Sequence, residues 1–232
     1  MWRPSFERCR RPVFRSPILA LLATITAVSV GLVASGCESG NGSGEPNELN
    51  GMTRTPPNEV GRLRLPQVNP ESDNRAGALA GRSGGVMLVY FGFTSCPDVC
   101  PTTLADLRLA LEELDEEDRS RVRVAMITVD PERDSAEVLN EYLGHFFPAR
   151  DFSSLRTTDR ERLRATEKVF GASHRIGPPD SEGDYDVSHT AQLYAVDDEG
   201  TVVVEWPFAT EPSAMASDLA QLLGQAPEDD ET

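Results

Sequence analysis

Residues 86–91, Val-Met-Leu-Val-Tyr-Phe, form an unbroken apolar run. A run of that length predicts a central strand covered on both faces. Further on, Leu104, Leu107, Ala110, Leu111 and Leu114 recur at helical spacing, with Pro101 suited to a first helical position. Residues 122–129 alternate and are rich in β-formers, which predicts a second strand. Val138, Leu139, Tyr142, Leu143 and Phe146 mark a second amphipathic helix opening near Asp134 and Ser135, and a third is expected over residues 159–170. Residues 171–186 are polar and rich in glycine and proline, as in a long loop. Residues 190–196 and 201–206 are strand-like and joined by Asp197-Asp198-Glu199-Gly200, a hairpin signal. Residues 213–223 close the pattern as a helix.

Strand, helix, strand, helix, hairpin and helix together predict an α/β layered sheet. The order is that of a thioredoxin-like fold, a central mixed sheet flanked by helices. No phosphate-binding loop or dinucleotide fingerprint occurs, and the cluster Gly81-Arg82-Ser83-Gly84-Gly85 precedes a strand, where it reads as a turn.

The two ends follow other rules. Arg3, Arg8, Arg10, Arg11 and Arg15 precede an uncharged apolar run over residues 18–34. Ala34-Ser35-Gly36 then stands immediately before Cys37. This is the three-part pattern of a secretory signal, and the small residues before cysteine resemble a bacterial lipobox whose cysteine is lipidated. An uncleaved membrane anchor competes, because a span needs about 17–20 apolar residues. Both readings put the domain on the outer face of the cytoplasmic membrane, with positive charge left inside. The expected organisation is a signal peptide with lipobox, or an anchor, over 1–37, then a flexible linker over 38–58. A domain over 59–225 and an acidic disordered tail over 226–232 follow.

Charge narrows the partners. The chain has 22 basic and 38 acidic residues; without residues 1–37, which hold five arginines and one glutamate, 17 against 37 remain, a net −20. That opposes nucleic acid or anionic lipid as the main partner and suits a basic or metal-bearing one.

Of the four cysteines, Cys9 lies in the export segment and Cys37 in the lipobox. The domain therefore carries Cys96 and Cys100 alone, directly after the central strand and at the start of a helix. Open α/β sheets place their chemistry there, and a helix N-terminus lowers thiol pKa values. A Cys96–Cys100 disulfide closes so short a loop that it would add little stability. The pair alone leaves three readings open: a structural disulfide, thiol exchange, or a grip on a soft ion such as Cu(I). Three histidines are available. His145 near a helix end reads as packed or surface, His174 in the long loop as solvated, and His189 lies between that loop and a strand.

The segments YFGFTSCPDVCPTTL, ITVDPERDSAEVLNEYL and GDYDVSHTAQLYAVDDEG resemble, in that order, those of the Sco/SenC family. The resemblance runs from Val86 to the hairpin and more weakly through the last helix. It implies a thioredoxin-like, membrane-tethered copper chaperone for the dinuclear CuA centre of cytochrome c oxidase. By position it makes Cys96 and Cys100 thiolate ligands and His189 the imidazole ligand of one copper. That set suits Cu(I), and Cu(II) with a further ligand. The implied partners are the CuA-bearing oxidase subunit, another periplasmic copper carrier and a thiol reductant. The chain departs from the family at Ser188, where an Asp commonly precedes the histidine and would orient it. The run Asp130-Pro131-Glu132-Arg133-Asp134 is a further family motif that reads as a strand exit and helix cap, with Asp130 near the thiols as the alternative. Two rivals stand beside this reading. One is a thiol–disulfide oxidoreductase acting on the CuA cysteines, which has no need of His189. The other is a peroxidase, with Thr94 before Cys96, which needs an arginine over the thiolate.

Overall fold

A computed structural model of the chain describes residues 48–69 and 76–224. The short strands β1 (Arg64–Pro66) and β2 (Ala76–Ala78) pair antiparallel. The central strand β3 (Val86–Gly92) leads into α1 (Val99–Glu113), the one-turn α2 (Glu116–Ser120) and β4 (Val122–Thr128). Then come α3 (Ala136–Gly144), β5 (Phe152–Leu155), α4 (Arg160–Phe170), β6 (His174–Ile176) and β7 (Val187–His189). The chain continues through β8 (Leu193–Val196), β9 (Val202–Trp206) and α5 (Pro212–Gly224).

The main sheet runs β5-β4-β3-β8-β9. Strands β3, β4 and β5 are parallel, and β8 and β9 join antiparallel, so the sheet is mixed and thioredoxin-like as expected. Every residue of β3 is buried, which is why its sequence carries no alternation. α1 packs on α5, and α3 on β5. The hairpin between β8 and β9 turns through Gly200 at φ 87°, a left-handed conformation that glycine adopts without penalty.

Several boundaries differ from the sequence pattern. Pro101 is the third residue of α1, not the first, because Asp98 takes the N-cap position; the first-turn amides need no intrahelical acceptor, so proline is tolerated there. Ser135 caps α3, its hydroxyl accepting from the Val138 amide at 3.3 Å. Strand β5 was not expected. Its Phe-Ser-Ser-Leu sequence is short and half polar, yet all of it is buried. The serines are satisfied by side chains: Ser154 donates to Asn140 at 2.7 Å, and Ser153 accepts from Gln67 and Arg123. The expected loop over 171–186 contains β6, and the expected strand over 190–196 is regular only from Leu193.

The linker boundary also moves. Residues 50–54, expected as tether, lie along β9 and α5. Met52 and Glu205 exchange backbone hydrogen bonds of 2.8 Å. The amides of Asn50 and Gly51 donate to the Asp218 carboxylate at 2.8 and 2.9 Å, and Arg54 pairs with Glu205. Asp218 and Glu205 are buried, and a buried carboxylate requires such partners. A Cβ on Gly51 would stand 2.3 Å from the Val204 side chain, so the approach depends on glycine. Among the described residues no helix is long and apolar enough to cross a membrane. The apolar run over 18–34, Cys37 and the tail over 226–232 lie outside the described residues.

Candidate metal centre

The loop leaving β3 carries Cys96, and Cys100 is the second residue of α1. Both are free thiols, Cys96 half-buried and Cys100 buried. The Cys96 amide donates to the Phe93 carbonyl at 3.3 Å, which curls the loop back towards the sheet. In turn the Cys100 amide donates to Cys96 Sγ at 3.3 Å, as an amide at a helix N-terminus is placed to do.

His189 ends β7 and comes to the same spot. Its Nε2 lies 3.4 Å from Cys100 Sγ, and the two sulfurs and one imidazole nitrogen all fall within 4.8 Å of one another. Its Nδ1 donates to the Thr190 carbonyl at 3.0 Å, which leaves the Nε2 lone pair for the centre. Tyr90 and Phe93 meet the imidazole edge-on, with ring centroids 5.9 and 5.7 Å away. Burial lowers the His189 pKa, so the ring is held in the neutral, ligating form. Ser188 is exposed. The main chain at Thr190 supplies the orientation that the missing Asp was expected to give.

One electrostatic expectation fails. Burial pushes the Cys100 thiol up to about 12, outweighing the main chain at Phe93 and the Tyr90 hydroxyl, which pull it down. Desolvation beats the helix end at this position. A cation taken up at the centre would reverse that balance, since a bound metal deprotonates a coordinating thiol.

The run from Asp130 to Asp134 is a buried bracket. Asp134 accepts from the Thr94 amide at 3.2 Å, the Thr94 hydroxyl at 2.6 Å and the Thr128 hydroxyl at 2.5 Å. Asp130 accepts from the Tyr185 hydroxyl at 2.8 Å and from Arg133, while the Arg133 guanidinium lies 4.1 Å over the Tyr185 ring. One carboxylate thus holds the cysteine loop, and the other holds the segment leading to His189. The structural reading of this run stands, although Ser135 makes the helix cap. Thr94 donates to Asp134 and Arg133 to Asp130, and among the described residues neither is hydrogen-bonded to Cys96 or Cys100.

Of the other histidines, His145 is exposed at the end of α3, in keeping with a surface role. His174 is not solvated as expected: its side chain is 12% exposed and its Nδ1 lies 2.6 Å from the buried Glu167 carboxylate. Sequence reasoning missed Glu167 and Tyr185, and weighed Thr94 only for a peroxidase. Only the helical phase of Glu167, in line with the buried Leu163 and Phe170, hinted that one of them faces inward.

The family model for SCO1/SenC matches residues 72–224. The SCO2-like protein RP587 of Rickettsia prowazekii is 37% identical over 117 residues, which cover 50% of this chain and 56% of the relative. The chain spans about half the length of the curated relatives it matches. Among solved structures, apo Sco1 of Thermus thermophilus is 34% identical with a TM-score of 0.60, covering 76% of this chain and 96% of its own. The copper-bound ScoI of Bradyrhizobium japonicum is 29% identical with a TM-score of 0.58, covering 69% and 96%.

Proposed function

The chain belongs to the SCO1/SenC family, and from that premise we propose that it is a membrane-tethered copper chaperone that helps assemble the CuA centre of cytochrome c oxidase. The observation that carries this reading is the convergence of Cys96, Cys100 and His189 to within 4.8 Å. Two thiolates and an imidazole form a soft donor set that suits Cu(I). Copper is the cargo, one ion per domain. Handover to the CuA-bearing subunit starts at the accessible side. Acceptor thiolates bond to copper as His189 and the half-buried Cys96 release it, and the buried Cys100 lets go last. Each released thiolate takes back a proton. The export pattern supports an outer-face location, with Cys37 as the lipid attachment point, and the acidic surface supports a basic or metal-bearing partner, such as a periplasmic copper carrier.

A second reading rests on the same pair of free thiols, whose sulfurs lie within 4.8 Å of each other. As a thiol–disulfide oxidoreductase the dithiol would close to the Cys96–Cys100 disulfide while a disulfide of the oxidase subunit opens to two thiols. An external thiol reductant would then restore the pair.

Anaerobic copper titration of the reduced full chain separates the two. Wild type takes up one ion. His189→Ala loses at least about 100-fold in affinity, at or beyond the top of the 10–100-fold range for outer-sphere partners, and each Cys→Ser variant loses more. Unchanged stoichiometry and affinity in all three variants would overturn the chaperone reading. Disulfide reduction that survives His189→Ala beside unaltered copper binding would establish the oxidoreductase.

A further inference from the structure

His174 and His189 are register partners across β6 and β7. The backbone bonds fall on either side of them, from Thr190 to Ser173 at 2.9 Å and from Gly177 to Asp186 at 2.8 Å. Alternation along an antiparallel ladder therefore makes the histidines a non-hydrogen-bonded pair, the closer of the two kinds. Side chains of such a pair share one face, with Cβ atoms roughly 4.5–5.5 Å apart. That separation lets two imidazoles reach one ion.

Each ring is held in the same sense. His189 donates from Nδ1 to the Thr190 carbonyl at 3.0 Å, and His174 places Nδ1 on Glu167 Oε1 at 2.6 Å. Glu167 is 3% exposed. A buried carboxylate on one imidazole nitrogen is the arrangement that fixes the tautomer of metal-binding histidines and raises the basicity of the other nitrogen. Among the described residues nothing hydrogen-bonds to His174 Nε2. Ser173, His174, Arg175, Ser188, His189 and Thr190 line one open cavity of about 380 Å3, so both histidine residues border one cavity, which the two cysteines do not line. Arg175 also borders it, but as the register partner of Ser188 its side chain leaves the ribbon on the face opposite the histidines.

Cys96, Cys100 and His189 satisfy Cu(I) with three donors, whereas Cu(II) favours four in a tetragonal arrangement. We propose that His174 is the fourth ligand of the Cu(II) form, its Nε2 binding the ion beside its register partner His189 while Nδ1 stays on Glu167. In the neutral ring with Nδ1 donating to Glu167, Nε2 carries the lone pair that binds the ion. The inference rests on the copper reading above and gives a second residue, oriented by Glu167, to the histidine side of the centre.

The test counts imidazoles on Cu(II) added to the full chain, by electron spin-echo modulation from the remote ring nitrogens. Wild type gives two coordinated imidazoles; His174→Phe and His189→Phe each give one, and His145→Phe still gives two. A single imidazole in wild type, lost only in His189→Phe, overturns the proposal and leaves the three-ligand centre intact. Bound Cu(II) with no imidazole overturns both. The wild-type count needs no substitution, so a variant that fails to fold does not decide the outcome.

Discussion

The cysteine side and the histidine side of the centre are anchored in different ways. The cysteines grow out of β3, which is buried throughout and bonded to β4 on one edge and β8 on the other. His189 stands on β7, which among the described residues pairs only with β6, in a separate two-stranded sheet of half-exposed and exposed residues. That ribbon is tied down by polar contacts of Tyr185 to Asp130, His174 to Glu167 and His189 to Cys100, with Val187 and the His189 ring as its apolar contacts to the core. Segments with few buried apolar contacts open locally at low cost, while core strands open only with the whole domain. One jaw of the centre is therefore set by the fold before any ion arrives. The other is set by interactions that an ion or a partner protein can replace.

The largest expected effect probes the fixed jaw. Cys100 is fully buried and its thiol is raised to about 12, so little thiolate exists at neutral pH. Alkylation of the reduced protein should modify Cys96 first, with Cys100 reacting at least about 10³-fold more slowly than an unperturbed thiol near pKa 8.5. Peptide mass spectrometry against time measures both rates, and comparable rates at the two cysteines would show that this jaw also opens. The stability sign follows from the same shift. The fold favours the neutral thiol, so its contribution is complete below the unfolded value and is lost as pH rises from about 9 towards about 12.

The next effect concerns the bracket. Asp134→Ala leaves the Thr94 amide and the hydroxyls of Thr94 and Thr128 without their acceptor. Stranding buried donors costs about 1–3 kcal/mol each at full burial, and more when a charged acceptor is lost. Urea unfolding should show a loss of about 2–4 kcal/mol at unchanged slope, with weaker copper binding because the cysteine loop is released. Burial raises the Asp134 pKa, so ionisation itself has a cost and Asp134→Asn should lose less than the alanine variant. A loss below about 0.5 kcal/mol, the ordinary surface range, would mean that the loop is held by its own turn.

These two jaws were unequally legible in the sequence. β3 and α1 could be read directly because burial on both faces and burial on one leave different apolar spacings, and Cys96 and Cys100 sit at their junction. His189 has no local signal. It stands 89 positions beyond Cys100, and its place followed from the three family segments rather than from spacing. β5 escaped because two of its four residues are serines whose partners, Asn140, Gln67 and Arg123, lie far off in the chain. His174 was read as solvated because its acceptor is on α4 and its register partner beyond the loop. The stretch at 50–54 looked like a tether because what it does is satisfy Asp218 and Glu205, two carboxylates whose burial no sequence pattern announces. Apolar layering is written locally, whereas polar satisfaction is written between distant positions.

The smallest expected effect decides what orients the movable jaw. Ser188 departs from the Asp common in the family, and the loss of an outer-sphere carboxylate ordinarily weakens metal binding about 10–100-fold. In this chain residue 188 is exposed and stands opposite Arg175, while the Thr190 carbonyl already accepts from His189 Nδ1 at 3.0 Å. Side chains alternate along a strand, so residue 188 projects from the face opposite His189. Ser188→Asp should therefore leave copper affinity within about a factor of two, and stability within about 0.5 kcal/mol, as for other surface changes. Competition titration against a chelator of known affinity resolves that difference. A gain of tenfold or more would show that the ribbon turns to bring residue 188 onto the imidazole when copper binds, and that the histidine side is oriented by its own strand rather than by the main chain at Thr190.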